Sequence, residues 1–534
     1  MRPARSVDRI CRPAPRWLWA AYGVWCALGL GLLLTFSFGR DQGIYGVVAE
    51  RWRHGVWPYE GAWDFKPPGI FLVFSAIQAV FGTGEAGLRC AEVLATAALL
   101  ALIFRYSREV LRSDVVGLVA GMLAVLTHLQ LDFWHTAQPE TFAAPALVAT
   151  LLLAKHDGLA ATVTLGFLGG FLFLVKPPFG AAAAMPLLVM LYSARDDWRR
   201  SFVTALTAAL AAAVPIAVTA FAFHRAGALD ALRETLFVFA PRYTALGWTG
   251  ETFATLVYKA TERSFTGLSG LIALGLALRI AAKKPWAPQS ELLAMLAVCI
   301  LGTALQAKFF PYHFGAILPI EAIVAAEGLV WAFASSAFAA RAALLILAVC
   351  MGFGRGPGRD VTGSFAQRAR ARIAAYPAFI HGNREPLDAV DKAADLDNGQ
   401  NRALALWFQS LTTAAEPVFL FGFEPSVYLF AERRPATRYI YDVPLRAENS
   451  RPHRERLMRD LRQSLPRAIA IERHDRMKMV TGTGDDSAET AHEFPEFMAF
   501  LGLRYRRATD LGRFERWVIR EKADTAPGSD TLSP

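Results

Sequence analysis

The chain has 534 residues, of which 54% are hydrophobic and only 19% charged, with a mean hydropathy of +0.30. Soluble globular proteins carry about 25% charged residues, so an ordinary soluble protein is excluded. The net charge of +10 would suit nucleic acid in a soluble chain. Here the basic residues sit mostly between apolar segments, where topology and anionic headgroups account for them, and no nucleic-acid partner is expected.

In chain order, Arg2, Arg5, Arg9, Arg12 and Arg16 precede a charge-free run over 17–38. The run is too long for a signal-peptide core and lacks a small-x-small cleavage site, so it is expected to stay as a signal anchor. Further apolar windows follow at 85–104, 115–131, 139–154, 159–175, 178–193, 202–223, 265–282, 289–307, 314–334 and 337–354, predicting about eleven spanning helices. The 68–82 stretch is apolar but too short to span, and is expected to lie as a helix in the interface. Alternate connections carry Arg105, Arg108, Arg112, Lys155, Arg195, Arg199, Arg200, Arg279, Lys283, Lys284 and Arg341. These are expected on the cytoplasmic side with the N-terminus. The longer loops 39–84 and 224–264, and the turns 127–139 and 305–313, then face outside, as does the C-terminus.

After Gly354 the chain becomes rich in Arg, Glu and Asp, with no spanning run. Strands are expected over Pro417–Gly422, Arg438–Val443 and Arg467–Ile471, and helices over 364–376 and 401–411. The expected organisation is a cytoplasmic tail 1–16, a transmembrane domain 17–354 with its first external loop at 39–84, a soluble α/β domain 355–523 and a disordered tail 524–534. Five cysteines (Cys11, Cys26, Cys90, Cys299 and Cys350) all precede the soluble part and show no metal-type spacing. A disulfide-stapled external domain is therefore excluded.

Ionisable residues at helix ends in a membrane protein are costly, and each is a functional hypothesis. Asp41, Lys66, Glu140, Lys176, Arg242, Lys308, Tyr312 and His313 all fall on the side predicted to be external. An acid such as Asp41 can accept a proton as general base, while Lys66, Arg242 and His313 can neutralise a departing phosphate. Trp52, Trp57, Tyr59 and Trp63 suit the depth where a lipid chain meets a polar group. Each position also has a structural reading. Asp41 and Glu140 can serve helix N-termini, Lys66 can snorkel, Lys176 before two prolines can mark a helix break, and Tyr312 and His313 can be interface anchors. Arg89 with Glu92 or Glu85 reads as a helix-surface ion pair. A zinc set of His128, His135 and Glu140 lacks a recognised ligand spacing.

The segments Asp41-Gln42-Gly43-Ile44-Tyr45, Gly55-Val56-Trp57-Pro58-Tyr59 and Trp63-Asp64-Phe65-Lys66-Pro67-Pro68-Gly69 resemble the first periplasmic loop of GT-C glycosyltransferases. The resemblance is to aminoarabinose lipid A transferases, rhizobial lipopolysaccharide core transferases and, more distantly, protein O-mannosyltransferases. Weaker similarity lies in Gln138-Pro139-Glu140-Thr141, Lys176-Pro177, Tyr312-His313-Phe314, Phe421-Gly422-Phe423-Glu424-Pro425 and Arg433–Arg438. The resemblance implies an α-helical polytopic membrane protein of GT-C type with a small C-terminal α/β periplasmic domain, in a bacterial inner membrane. It implies transfer of one sugar, with inversion, from a polyprenyl-phosphate donor to a lipid, glycan or protein acceptor of the cell envelope. Asp41 matches the family's catalytic base and Glu140 a second acidic position, both taken as catalytic; Lys66, Tyr312 and His313 match donor-phosphate residues, to which Arg242 is added on its charge. Tyr59, Asp64, Lys176 and Lys308 are further substrate-binding candidates. Two departures matter. The family's Asp-Glu is Asp41-Gln42 here, and Phe65 replaces the Glu that precedes the lysine in aminoarabinose transferases. A divalent-metal site is therefore in doubt, although Asp64 can substitute. The alternative is a ligase or oligosaccharyltransferase using a diphosphate-linked glycan. A transporter fits less well, because mid-membrane charges on broken helices and inverted repeats are missing.

Overall fold

The computed structural model of the chain describes residues 13–156, 158–193, 195–264, 267–283, 286–353, 365–446 and 450–520. The expectations for residues 1–12, for the start of the soluble segment and for the 524–534 tail lie outside the described residues. The chain forms two compact units: residues 1–39 with 65–396, and residues 40–64 with 397–534.

The first unit is helical. Every apolar window predicted to span holds a helix, from Arg16–Leu33 to Ala337–Phe353. Among the described residues, four helices (Glu85–Glu109, Trp198–Arg225, Gln289–Gln306 and Leu318–Ser335) are long and apolar enough to cross a bilayer. A fifth joins them if the bent pair Phe253–Ser264 and Leu268–Ala281 is one span. Local chemistry sets the helix starts. Ser113 accepts a hydrogen bond from the Val116 amide and Asp197 one from the Arg200 amide, satisfying donors that a helix N-terminus otherwise leaves bare. Proline occupies the first turn at Pro68, Pro139 and Pro319, where its missing N–H costs nothing. Ile103, Leu147, Leu151, Ile320 and Ile323 are among the residues of one continuous apolar core. The 224–264 segment, read from sequence as a loop, is largely helical: Leu229–Arg233, a π-helical Glu234–Phe239, Ala240–Trp248 and Phe253–Ser264.

Charges buried in this unit are paired. Arg89 is 0% exposed; it bonds Glu92 at 2.5 Å, Thr136 Oγ1 at 3.0 Å and the Phe36 carbonyl at 3.2 Å. Glu92 also meets His128 Nε2 at 2.8 Å and accepts from the Ala137 amide at 2.9 Å. The Arg89–Glu92 pair is thus an interior clamp rather than a surface pair, because carbonyls from the chain after the first helix converge on the guanidinium. Beside it, Asp132 sits at φ 59°, bonded to Arg368 and, at 2.9 Å, to Arg372, which bonds Asp391 at 2.8 Å. Burial opposes the charge on Asp132, but Arg372 and Arg368 prevail and hold it below the usual carboxylate range.

Among its described residues the second unit contains four strands, β1 (Val418–Phe421), β2 (Ala468–Glu472), β3 (Tyr505–Leu511) and β4 (Phe514–Ile519), in the order β1-β2-β4-β3. β1 and β2 are parallel; β4 is antiparallel to both β2 and β3. Phe419, Phe421, Leu457, Leu461, Phe497 and Leu501 pack its core. The 438–443 segment, predicted as a strand, is not one: the Arg438 carbonyl is taken by the Trp63 amide at 2.7 Å, and Tyr439, Ile440 and Tyr441 are buried as irregular chain. Helix Arg40–Arg53 belongs to this unit. A Cβ on its Gly43 would lie 2.7 Å from the Ser426 amide nitrogen, so only glycine lets this helix approach the Ser426–Ala431 helix so closely.

Candidate functional site

Within the helical unit, the Lys-Pro-Pro-Gly run places Lys66 just before helix Pro68–Phe81. A Cβ on Gly69 would meet the Leu174 carbonyl carbon at 2.5 Å and the Val175 nitrogen at 2.6 Å. The missing side chain therefore lets the start of this helix abut the end of helix Leu159–Val175, next to Lys176. A second break, at Pro177 and Pro178, starts the following helix. Pro139 opens the helix whose first turn carries Glu140, and Pro311 opens a 3-10 turn carrying Tyr312 and His313.

These ends converge on Tyr312. Lys66 Nζ donates to the Tyr312 hydroxyl at 3.5 Å and lies 5.6 Å from the ring centroid, with Lys176 Nζ at 5.8 Å. Lys176 Nζ donates to Glu140 Oε1 at 2.5 Å. Glu140 is 1% exposed, and its Oε2 accepts no hydrogen bond among the described residues. Lys308 Nζ lies 4.7 Å over the Tyr243 ring, which packs against Phe65 at 4.6 Å. His135 stacks on Tyr312 at 5.9 Å. The result is three amines held on aromatic faces, with a single carboxylate among them, an arrangement suited to a multiply charged anion.

The imidazoles do not add to the positive charge. Burial, then Lys176 and Lys66, hold His313 well below its ordinary pKa; burial pushes His135 down to about 3. His313 Nδ1 sits 2.6 Å from the Lys308 carbonyl, which can only accept. The proton of the neutral ring is therefore on Nδ1, and Nε2 is left as an acceptor. Burial also lowers Lys308.

The other predicted residues are placed differently. Arg242 is exposed on helix Ala240–Trp248 and makes no hydrogen bond or ion pair among the described residues. Asp41, Tyr59 and Asp64 belong to the second unit. Asp41 is half-buried in the first turn of helix Arg40–Arg53, without an ion pair among the described residues. The preceding Arg40 is fixed to Glu424 at 2.8 Å. Tyr59 is fully buried, and its carbonyl accepts from Arg438 at 3.1 Å; burial and then Asp64 raise its phenol well above the ordinary value. Asp64 is buried and accepts from the Tyr441 hydroxyl at 2.7 Å. Both have the surroundings of framework residues. Tyr243, Phe65 and His135 are part of the cluster without having been predicted as substrate-binding residues: Phe65 was noted only as a departure from the family pattern, His135 only as a zinc candidate, and Tyr243 only as the chain neighbour of Arg242. For a metal, the donor set does not fit. Among the described residues no group of three or more His, Cys, Asp or Glu side chains could hold one, and of the zinc candidates His128 is bonded to Glu92.

Residues 65–221 match the family model described as dolichyl-phosphate-mannose-protein mannosyltransferase. No curated protein sequence matches the chain. Among solved structures, the chain is similar to ArnT from Cupriavidus metallidurans bound to undecaprenyl phosphate, with a TM-score of 0.56 and 14% identity over 96% of this chain and 100% of that one. The apo state of the same protein gives 0.58 and 13%, over 94% and 97%. The archaeal oligosaccharyltransferase AglB from Archaeoglobus fulgidus gives 0.43 and 13%, over 96% of this chain and 75% of that one.

Proposed function

Proceeding from the fold of a GT-C membrane glycosyltransferase, we propose that this chain transfers a single sugar, with inversion, from a polyprenyl-phosphate donor to an acceptor of the cell envelope on the periplasmic side of a bacterial inner membrane. The observation that carries the reading is the set of amines on aromatic faces, Lys66 and Lys176 at Tyr312 and Lys308 at Tyr243. Three ammonium groups and one carboxylate leave two positive charges. A phosphodiester donor brings one negative charge, and its departure as a phosphate monoester develops a second. The cluster thus complements the charge that grows along the reaction, which is what lowers a barrier.

In this reading Lys66 and Lys176 hold the phosphate oxygens, and Lys308 balances the charge from its place over Tyr243. Glu140 holds Lys176 in place until the phosphate arrives. Tyr312 positions both amines, and Arg242 supplies a further cation from its exposed helix. His313, with a free acceptor at Nε2, receives a hydroxyl hydrogen bond rather than neutralising phosphate. The acceptor oxygen forms a bond to the sugar's anomeric carbon as the carbon–oxygen bond to phosphate breaks. The acceptor's proton goes to Asp41 and the electron pair leaves with the polyprenyl phosphate. One displacement inverts the anomeric centre. Tyr59 and Asp64 serve as framework, and no step is assigned to a metal.

The test is turnover of the purified chain on polyprenyl monophosphate-linked and diphosphate-linked sugars. The monophosphate donor should be used and the diphosphate donor should not. Turnover confined to the diphosphate would overturn the reading in favour of an oligosaccharyltransferase-type reaction.

A further inference from the structure

The segment that brings His135 to the Lys66 cluster is strained at both ends. Asp132 sits at φ 59° and Ala137 at φ 50°, left-handed values that a side chain with a Cβ adopts at a cost, and keeps only where its surroundings over-determine them. Buried charges do so here. At the first end, Asp132 accepts from the Phe133 amide at 2.7 Å and is bonded to Arg368 and, at 2.9 Å, to Arg372. Both arginines lie on helix Phe365–Ile380, and Arg372 is fixed in turn by Asp391 at 2.8 Å. At the second end, Glu92 accepts from the Ala137 amide at 2.9 Å, and Arg89 donates to Thr136 Oγ1 at 3.0 Å.

Between and just beyond these clamps the segment carries parts of the site. His135 stacks on Tyr312 at 5.9 Å, and the Tyr312 hydroxyl accepts from Lys66 at 3.5 Å. Three residues past Ala137, Glu140 lies in the first turn of its helix and accepts from Lys176 at 2.5 Å. Lys66 is thus reached from the first clamp by way of His135 and Tyr312, and Lys176 from the second by way of Glu140. The turn Asp132–His135 has four residues, and the Phe133 amide already secures it. Two guanidiniums from 236 and 240 residues along the chain hold the same carboxylate more firmly than a turn requires, as where a side chain must not move. We propose that Arg372, acting with Arg368 through Asp132, is a positioning residue for the donor phosphate: it fixes the His135 ring against Tyr312 and thereby the amine of Lys66. The proposal rests on the reading of the Lys66 cluster as the phosphate site. A lysine in place of Arg372 keeps the charge but loses the reach and the planar fork that span Asp132 and Asp391.

The test is the affinity of the full-length chain, purified in mild detergent, for undecaprenyl phosphate, with the melting temperature recorded for each variant. Arg372→Lys should weaken binding about two- to thirtyfold, the range for residues that act along a path of contacts. Arg279→Lys is the control: Arg279 is a buried arginine of the same unit, bonded to Glu327 at 3.0 Å, and its change should lower the melting temperature without lowering affinity. Asp132→Asn keeps the side chain's size and tolerates left-handed backbone. It should weaken binding in the same direction, and it reads the clamp even if Arg372→Lys does not fold. In a double-mutant cycle with His135→Ala, Arg372→Lys should cost nothing further, because the stack it works through is gone. Losses that add in that cycle, unchanged binding in Asp132→Asn, or a weakening by Arg372→Lys no larger than that by Arg279→Lys would each overturn the proposal. Lys66→Met keeps the two readings apart. If it leaves undecaprenyl phosphate bound, the phosphate site itself is misplaced; a loss there beside full binding in Arg372→Lys removes only the clamp.

Discussion

Gly69 shows how much one missing methyl decides. A Cβ there would sit 2.5 Å from the Leu174 carbonyl carbon, and backbone cannot yield as a side-chain tip can. Gly69→Ala should push the Pro68–Phe81 helix away from Lys176, so activity should fall at least tenfold while the chain still folds, each 1.4 kcal/mol of lost positioning being worth that factor. Gly82 supplies the control. It ends the same helix at φ 82° and ψ 176° with nothing within 4 Å, so Gly82→Ala strains only the backbone, costs roughly 1–3 kcal/mol and should leave turnover unchanged. Parallel activity and thermal-unfolding measurements decide it; equal effects from both changes would show that Gly69 matters only for folding. Arg89 is the opposite case, a residue defined by what it cannot lose. Arg89→Met leaves Glu92 buried with His128 as its remaining side-chain partner, and removing one member of a buried pair costs about 3–5 kcal/mol. The double change Arg89→Met with Glu92→Met should recover much of the melting temperature. Sequence made Lys66 legible because an amine beside Pro-Pro-Gly at an apolar border has few bland explanations. It hid the burial of Arg89, since the carbonyls it binds come from 52 and 53 residues away.

At the scale of elements, apolar windows were read well and irregular buried chain was not. Tyr439, Ile440 and Tyr441 have the composition of a strand, but tertiary partners consume their backbone and hydroxyl groups: Tyr441 donates to Asp64, and Thr437 Oγ1 accepts from the Tyr439 amide. Composition over six residues does not separate these cases. The 224–264 segment misled for the converse reason, since polar residues interrupt helices that run on through them. One polar element nearby has a measurable consequence. Ser487 Oγ lies 2.6 Å from Asp442 Oδ2 and 2.5 Å from Asp475 Oδ2, with Arg446 3.0 Å from the latter. A hydroxyl has one hydrogen to give, so one of the two contacts needs a carboxyl proton. Burial first, and Asp475 with it, push Asp442 up to about 7 against the pull of Arg446. Burial likewise raises Glu472 well above the ordinary value. A carboxyl raised on folding stabilises the folded state while it is protonated. That stability is complete below its unfolded pKa of about 4 and is lost as pH rises through about 7. Unfolding monitored by hydrogen exchange of the Ala468–Glu472 strand should therefore show a unit that weakens between about pH 5 and 8. Asp442→Asn, whose amide can still donate to Ser487, should flatten that slope; an unchanged slope would remove Asp442 as its source.

At the scale of the whole molecule, the proposed chemistry divides between the two compact units. Lys66, Glu140, Lys176, Lys308, Tyr312 and His313 belong to the helical unit, whereas Asp41 opens a helix of the unit that carries the sheet. No composition shift marks this division, because the boundary falls between Asp64 and Phe65, inside the run that reads as one motif. The division predicts a separation of function. Lys66→Met removes an amine bonded to Tyr312 and should weaken undecaprenyl-phosphate binding about tenfold or more, since charge-assisted contacts to phosphate are worth roughly 1.5–3 kcal/mol; the loss should shrink as salt rises. Asp41→Asn keeps the side chain's size and removes only its capacity to take a proton, so binding of the lipid phosphate should be unchanged while kcat falls by about 10²–10⁴. Isothermal titration with undecaprenyl phosphate, beside turnover on the donor, reads the two effects independently. If Asp41→Asn weakens lipid-phosphate binding as much as Lys66→Met does, the acid belongs to the anion site and the base must be sought elsewhere. If it leaves turnover intact, the helix at Arg40–Arg53 has no part in proton transfer.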